Sequence, residues 1–141
     1  MQEKIQLQLS TGQAEAMQAA LDFYSRVCSG QIEELGYLIR TGQVPAVVEN
    51  SQVPAGVRAS VIDHYIDRIK SELGLFPNEQ YGILHNQVPA NAKRCYEIYK
   101  EVAKVLASYK NPEPTFKGVD YDGCIVRATN DELPDVGVVL V

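Results

Sequence analysis

The sequence predicts an α+β fold in which three amphipathic helices pack on a small antiparallel sheet. Three long segments repeat apolar residues at helical spacing, while short segments near both ends alternate polar and apolar residues or are rich in β-branched ones. The sheet would consist of the N-terminal strand and a C-terminal hairpin. At 141 residues, 45% of them hydrophobic, the chain is expected to form a single domain over residues 1–141.

The first strand and the first helix are predicted from the N-terminal 42 residues. Residues 4–9 alternate apolar and polar side chains, which is typical of a half-buried strand. Ser10 to Gln13 are residue types that cap helices. An unbroken apolar stripe then predicts one long helix from Met17 to Arg40, and Gly42 fits the left-handed cap that ends it.

A second, narrower line along the long helix carries Phe23, Gly30 and Tyr37, seven residues apart. A glycine inside a helix costs roughly 1 kcal/mol relative to alanine, so a close approach at Gly30 is expected to offset that cost. The approaching group could be a second subunit, a ligand or another backbone, and simple packing within the same domain is the alternative. Packing within the domain is the favoured explanation, and the glycine between aromatics at heptad spacing adds the prediction of an inter-subunit contact through these three residues.

Two further helices follow in the sequence. The second is predicted at about Arg58 to Leu73, and Gly74 fits its C-terminal cap. Its predicted inward residues are Val61, Ile62, Tyr65, Ile66, Ile69 and Leu73. The third runs from about Asn91 to Tyr109 and ends before a proline-rich stretch. The tetrapeptide Gln-Val-Pro-Ala begins at Gln43, Gln52 and Gln87, and we interpret it as a signal that precedes helices.

The C-terminal segment predicts two paired strands. The sequences CIVRAT, residues 124–129, and VGVVLV, residues 136–141, are short and β-branched, and turn-forming residues separate them. With the N-terminal strand they complete the predicted sheet. Exposed edges of such a sheet, together with the charged helix faces, suggest a homo-oligomer.

Composition and charge exclude several classes of partner. The net charge is −5 and no face gathers several Lys and Arg residues, so we expect no nucleic-acid binding. The longest apolar run is too short to cross a membrane. Three isolated cysteines do not form a disulfide framework, which favours a reducing, cytoplasmic location. No cluster of metal ligands is recognisable, and no cofactor is expected.

The sequence contains no strong catalytic motif. The phosphate-binding loop, the dinucleotide-binding glycines and the nucleophile elbow are all absent. Asp63 and His64 lack the second histidine of a helical zinc site. Ser25 and Ser29 lie within a predicted helix without a histidine close in sequence, and Cys28 lies on an apolar stripe. We therefore expect a protein that is not an enzyme.

The remaining candidate chemistry is recognition of an anion. Arg127 lies on an otherwise apolar predicted strand, where an arginine is costly to bury unless it is paired. It either faces solvent or a carboxylate, or it contacts an anionic ligand. Thr129 and Asn130 follow it with groups suited to ribose or phosphate oxygens.

A second set of candidate residues lies on the long helix. Arg26 follows Phe23 and Tyr24, so a guanidinium and two aromatic rings come together there. Aromatic faces can stack a base while an arginine binds a phosphate. Arg127 is the first choice for the anion contact and Arg26 the second. The sequence leaves open whether the two segments meet in one pocket.

Two pieces of the chain, ALDFYSRVCSGQIEELGYLIR at residues 20–40 and IVRATNDELPD at residues 125–135, resemble segments of small phage and prophage proteins. Those proteins also begin with a short strand and end in a strand that carries an arginine before an acidic-proline turn. The chain resembles the anti-Thoeris sponge family, phage proteins that oligomerise. The resemblance implies that no reaction is catalysed. It implies instead that a cyclic ADP-ribose-type signal, made by bacterial TIR-domain enzymes, is bound in the host cytoplasm.

Two functions are therefore expected from the sequence. The first is a non-enzymatic phage-type protein that sequesters a small, anionic, nucleotide-derived signalling molecule and so counters bacterial immune signalling. The alternative is a protein-interaction module that inhibits or adapts a host protein through the line of Phe23, Gly30 and Tyr37.

Overall fold

The computed structural model describes residues 2–45 and 55–141, and in this part of the chain all regular secondary structure is helical. The helices are α1 (Thr11–Cys28), α2 (Glu33–Arg40), α3 (Ala55–Glu72) and α4 (Ala90–Lys110), followed by a 3-10 turn at Val119–Tyr121. No residue of the described ranges belongs to a strand. The predicted α+β class is therefore wrong, and the described fold is all-helical.

The chain divides into two compact units. Unit 1 contains Met1–Asp22 and Lys93–Val141, and unit 2 contains Phe23–Ala92. Within unit 1, α4 supplies the buried apolar residues Val102, Ala103 and Leu106. Within unit 2, the buried apolar residues are Ile66, Leu75, Val88 and Ala92. Each unit therefore has an apolar core of its own.

The start of α1 follows the predicted capping residues. The Ser10 hydroxyl accepts a hydrogen bond from the Gln13 amide at 3.2 Å, and the Gln13 side chain accepts one from the Ser10 amide at 3.0 Å. This reciprocal pair is a capping box, and it satisfies two of the donors that every helix start leaves open. The helix therefore begins at Thr11, six residues before the position predicted from the apolar stripe.

The predicted long helix is interrupted at Gly30. The Gly30 amide bonds to the carbonyl of Val27 and the Gln31 amide to that of Arg26, the two hydrogen bonds of a Schellman ending. Gly30 has a φ of +89°, which a side chain would strain. The apolar spacing continues across this break, so periodicity alone did not reveal it.

Gly30 also packs closely against two side chains of unit 2, Leu75 and Tyr81. A Cβ at this position would come within 2.9 Å of Leu75 Cδ1 and 3.7 Å of the Tyr81 ring. The Tyr81 amide donates a hydrogen bond to the Ser29 carbonyl at 2.8 Å, which fixes the loop against the turn. The close approach expected at Gly30 is thus made by other residues of unit 2. Of the explanations considered for this glycine, packing within the same domain is the one that the structure shows.

The other two helices agree with the sequence prediction to within three residues at each end. Gly42 and Gly74 have the positive φ values expected of their caps, +76° and +79°. The Gln-Val-Pro-Ala copy at Gln87 does precede α4, whereas residues 46–54, which include the copy at Gln52, lie outside the described residues. The predicted inward face of α3 is partly wrong. Ile66 is buried, but four of its neighbours are largely exposed: Val61, Tyr65, Ile69 and Leu73.

The predicted sheet is absent from the described residues because its backbone groups are not paired with one another. Residues 2–9 and 132–141 make no backbone–backbone hydrogen bond within the described ranges. The amides of Ala128 and Thr129, which would belong to a ladder, donate to the carboxylate of Glu97 instead. An alternating pattern indicates a tendency to extend, but a strand also requires a partner. Among the described helices, none is long and apolar enough to cross a membrane.

Candidate functional site

Arg127 is paired with a carboxylate of its own unit. Its Nε lies 3.0 Å from Oε2 of Glu97 on α4, and its Nη2 donates to the carbonyl of Asp131. The Glu97 side chain is only 4% exposed, whereas the Arg127 side chain is 40% exposed. Arg127 therefore faces a carboxylate, which is one of the environments expected from the sequence. Part of the guanidinium remains accessible.

Glu97 organises the whole segment after Arg127. Its carboxylate also accepts hydrogen bonds from the Ala128 amide at 2.8 Å, the Thr129 amide at 3.2 Å and the Thr129 hydroxyl. Burial tends to raise the pKa of Glu97, but these hydrogen bonds and the one from Arg127 outweigh burial and lower the pKa below its ordinary 4.5. The carboxylate is therefore ionised at neutral pH and holds residues 127–129 against α4.

Two tyrosines and a lysine lie on the same part of α4. The rings of Tyr96 and Tyr99 meet edge to face, with centroids 5.7 Å apart. The Lys100 ammonium lies 5.7 Å from the Tyr96 centroid and 5.4 Å from that of Tyr99, within range of cation–π attraction. All three side chains are partly exposed.

Cys124 links this cluster to Arg127. Burial raises the pKa of the Cys124 thiol above its usual 9.0, and the charge of Glu97 raises it further, while the charges of Arg127 and Lys100 oppose the shift. We call Tyr96, Tyr99, Lys100, Cys124 and Arg127 the Arg127 surface.

The loop before Cys124 lies directly on α4. A Cβ at Gly123 would come within 2.9 Å of Glu101 Oε2 and 3.0 Å of Lys104 Cδ. The Arg127 surface is thus built from one helix and one loop that lies at short range from it. Such a surface can stack a planar group and donate hydrogen bonds to an anion.

The other predicted set belongs to unit 2. Arg26 Nη1 lies 3.2 Å from the Gln31 side-chain oxygen and 3.6 Å from a carboxylate oxygen of Glu34. Phe23 is half-buried and Tyr24 is exposed. The six predicted residues therefore fall into two sets, one in each unit: Phe23, Tyr24 and Arg26, and Arg127, Thr129 and Asn130. In the second set Thr129 is bound by Glu97, and Asn130 is exposed.

Sequence reasoning did not identify Glu97 or the cluster of Tyr96, Tyr99 and Lys100. The signal for the cluster was available, because positions 96, 99 and 100 share one side of a helix. Glu97 had no comparable signal, since it lies among apolar residues that face the core and its partners come thirty residues later. Among the described residues, no three His, Cys, Asp or Glu side chains are grouped so that they could hold a metal ion.

Unit 1 also contains a large, open groove. The apolar side of α4, with Ile98, Val102, Val105 and Tyr109, forms one wall, and residues 4–11 and 131–141 form the other. Its volume is about 1470 Å³. We call it the terminal groove. Lys4 and Glu132 are 3.1 Å apart across its rim.

Comparisons with known proteins leave the geometry as the main guide to function. The chain matches no protein-family model, no curated protein and no solved structure. The resemblance to the anti-Thoeris family, drawn from residues 20–40 and 125–135, therefore stays a prediction.

Proposed function

We propose that this chain is a non-enzymatic binding protein that sequesters a small, anionic, nucleotide-derived molecule at the Arg127 surface. The observation that carries the proposal is the placement of Lys100 against two tyrosine rings on α4, one helical turn from Glu97, which binds Arg127. Rings that stack a base and cations that bind a phosphate are the two halves of nucleotide recognition. The resemblance to phage sponges supports a ligand of the cyclic ADP-ribose type.

Arg127 is prepared for such a contact by its own neighbours. Glu97 holds Nε and the Asp131 carbonyl holds Nη2, so the plane of the guanidinium is fixed before a ligand arrives. In the contacts described, Nη1 remains available as a donor. A guanidinium that is already held in one orientation loses less conformational freedom on binding than a mobile side chain does. Lys100 brings a second positive charge on a flexible stem.

Sequestration fits this surface better than a reaction does. Cys124 is a nucleophile type, but its raised pKa keeps the thiol protonated at neutral pH. Glu97 could act as a base, but its pKa is lowered and its carboxylate already accepts four hydrogen bonds from residues 127–129. We therefore propose that binding lowers the free concentration of a bacterial immune signal and leaves the molecule unchanged.

The alternative function, docking of a host protein on Phe23, Gly30 and Tyr37, has less support. Tyr37 is exposed, but Gly30 is buried beneath Leu75 and Tyr81. These three residues therefore do not present a continuous surface in the described state.

The proposal is tested by calorimetric titration with cyclic ADP-ribose and with linear ADP-ribose as probes. We expect Arg127→Ala to weaken binding about thirtyfold or more, in line with truncation of a charged hydrogen-bond partner, and Arg127→Lys to restore little. Lys100→Met should also weaken binding, since it removes a charge and keeps the stem. Arg40→Ala is the matched control, because Arg40 is an exposed arginine that pairs with Asp63 in unit 2.

Recovered probe decides between binding and reaction. After denaturation of the complex, chromatography should return the probe unaltered. Conversion of the probe would contradict a non-enzymatic function. Equal affinity of the wild type and the folded Arg127→Ala variant would exclude the Arg127 surface, and no binding of either probe would remove the support for this ligand class.

A further inference from the structure

Both terminal segments of unit 1 expose apolar side chains and unpaired backbone. Within the described ranges, residues 2–9 and 132–141 form no backbone–backbone hydrogen bond. The largely exposed side chains there include Ile5, Leu7, Val138, Val139, Leu140 and Val141. Apolar segments with open backbone donors and acceptors readily pair with another chain, and proteins normally protect them. Something in solution is therefore expected to cover them.

The terminal groove is the wrong size for a small molecule. Pockets that enclose small ligands have volumes of about 300–1,000 Å³, and the groove, at about 1470 Å³, exceeds that range. It is open to solvent, and α4 lines it with apolar side chains. An extended peptide with apolar side chains suits such a groove better than a compact ligand does.

We propose that the terminal groove is occupied by residues 136–141 of a second copy of this chain. In this arrangement the segment VGVVLV leaves the wall of its own groove, takes the corresponding place beside α4 of the other copy and pairs its backbone with residues 5–9 there. A two-fold axis makes the exchange reciprocal, so both grooves and both segments are filled at once. The free backbone groups of residues 5–9 receive the partners that they lack within one chain.

Charge supports this occupant. The segment 136–141 carries no charged side chain, and the wall formed by Ile98, Val102 and Val105 carries none either. The charged residues that line the groove are Lys4, paired with Glu132, Arg94, paired with Asp131, and Asp135, which is exposed. An incoming apolar segment would therefore meet paired charges and one carboxylate that water can reach, which keeps the desolvation penalty small.

The area is also sufficient for a stable dimer. The four exposed aliphatic side chains of the segment, Val138 to Val141, remove about 400 Å² of apolar surface from water at roughly 100 Å² each. The groove walls that they cover add a similar area, and in a reciprocal exchange each copy contributes both a segment and a groove. The total is comparable with the roughly 1,600 Å² of standard stable interfaces. This inference does not depend on the ligand proposed for the Arg127 surface.

The test is the mass of the full chain and its variants by light scattering. We expect the wild type to have at least twice the chain mass of 15.6 kDa. Val138→Asp and Leu140→Asp should each reduce the mass to 15.6 kDa, since they place a charge in an apolar groove. Val119→Asp is the matched control, because Val119 is 69% exposed in the same unit but does not line the groove. Circular dichroism checks that each variant is folded.

A labelled peptide of residues 134–141 identifies the occupant. It should bind the monomeric Val138→Asp variant, whose groove holds no segment of a second copy, and bind the wild type at least tenfold more weakly. A wild type of 15.6 kDa at every concentration would overturn the proposal. So would wild-type mass in both groove variants, dissociation of Val119→Asp, or failure of the peptide to bind the monomeric variant.

Discussion

The ammonium of Lys70 lies 2.9 and 3.0 Å from the two carboxylate oxygens of Glu33, and the two side chains differ sharply in exposure. Lys70 on α3 is 1% exposed, whereas Glu33 in the first turn of α2 is 40% exposed. The pair joins α2 to α3 within unit 2. Because only the lysine is buried, loss of Glu33 would leave a buried charge uncompensated, whereas loss of Lys70 would leave a charge that water can reach.

This asymmetry predicts unequal effects of removing each partner. Glu33→Ala should destabilise the protein by about 3 kcal/mol, since it leaves a buried ammonium uncompensated. Lys70→Met should cost less than about 1 kcal/mol, because an apolar stem fills the same space and Glu33 can be hydrated. Urea denaturation of both variants gives the comparison. An equal loss of stability in both variants would contradict the inference that the burial of Lys70 makes removal of Glu33 the more costly change.

Glu97→Gln is predicted to loosen the segment after Arg127. The amide retains one oxygen acceptor but turns an NH₂ group toward donors, so part of the network of Arg127, Ala128 and Thr129 is lost. We expect a loss of about 1–3 kcal/mol, the range for an unsatisfied buried polar group. Glu113→Gln, in an exposed loop, should stay within about 0.5 kcal/mol of the wild type in the same denaturation experiment.

The lowered pKa of Glu97 predicts acid sensitivity. A carboxyl whose pKa is lower in the folded than in the unfolded chain stabilises the fold fully above its ordinary pKa of 4.5, and this contribution is lost as the pH falls through the lower folded value. The stability difference between wild type and Glu97→Gln should therefore shrink below pH 4.5. Urea midpoints measured at several pH values test this, and a constant difference would contradict it.

Gly30→Ala is predicted to destabilise unit 2. An alanine would have to adopt a φ of +89° and would place its Cβ 2.9 Å from Leu75 Cδ1. We expect a cost of about 1–2 kcal/mol. Gly12→Ala is the control, because a Cβ at Gly12 would meet no atom within 4 Å and alanine favours the helix that Gly12 occupies. Thermal unfolding should move in opposite directions for the two variants.

Local signals predicted the parts of the fold that local contacts determine. The capping residues Ser10 and Gln13, the caps Gly42 and Gly74 and the extents of α3 and α4 depend on neighbours a few residues away. The sheet was wrong because strands require partners distant in sequence, and Glu97 takes the donors that a ladder at residues 128 and 129 would use. The break at Gly30 was missed because the apolar stripe continues across it.

The candidate site was predictable only in part. The need for a carboxylate or an anion at Arg127 follows from the cost of burying a lone guanidinium among apolar residues. The sequence could not identify Glu97 as that carboxylate, because thirty residues separate the two. Likewise, alternation at residues 4–9 predicted a half-buried strand, whereas Ile5 and Leu7 are largely exposed, and no local pattern indicated the terminal groove that they line.

The order of residues in the two units has a consequence for synthesis on the ribosome. Unit 2 is one continuous stretch, Phe23–Ala92, whereas unit 1 combines Met1–Asp22 with Lys93–Val141. Unit 2 can therefore complete its contacts as soon as it leaves the exit tunnel. The first twenty-two residues must wait until the last part of the chain is translated. During that interval the apolar N-terminal segment has no partner of its own unit, so chaperone binding to nascent chains should concentrate there.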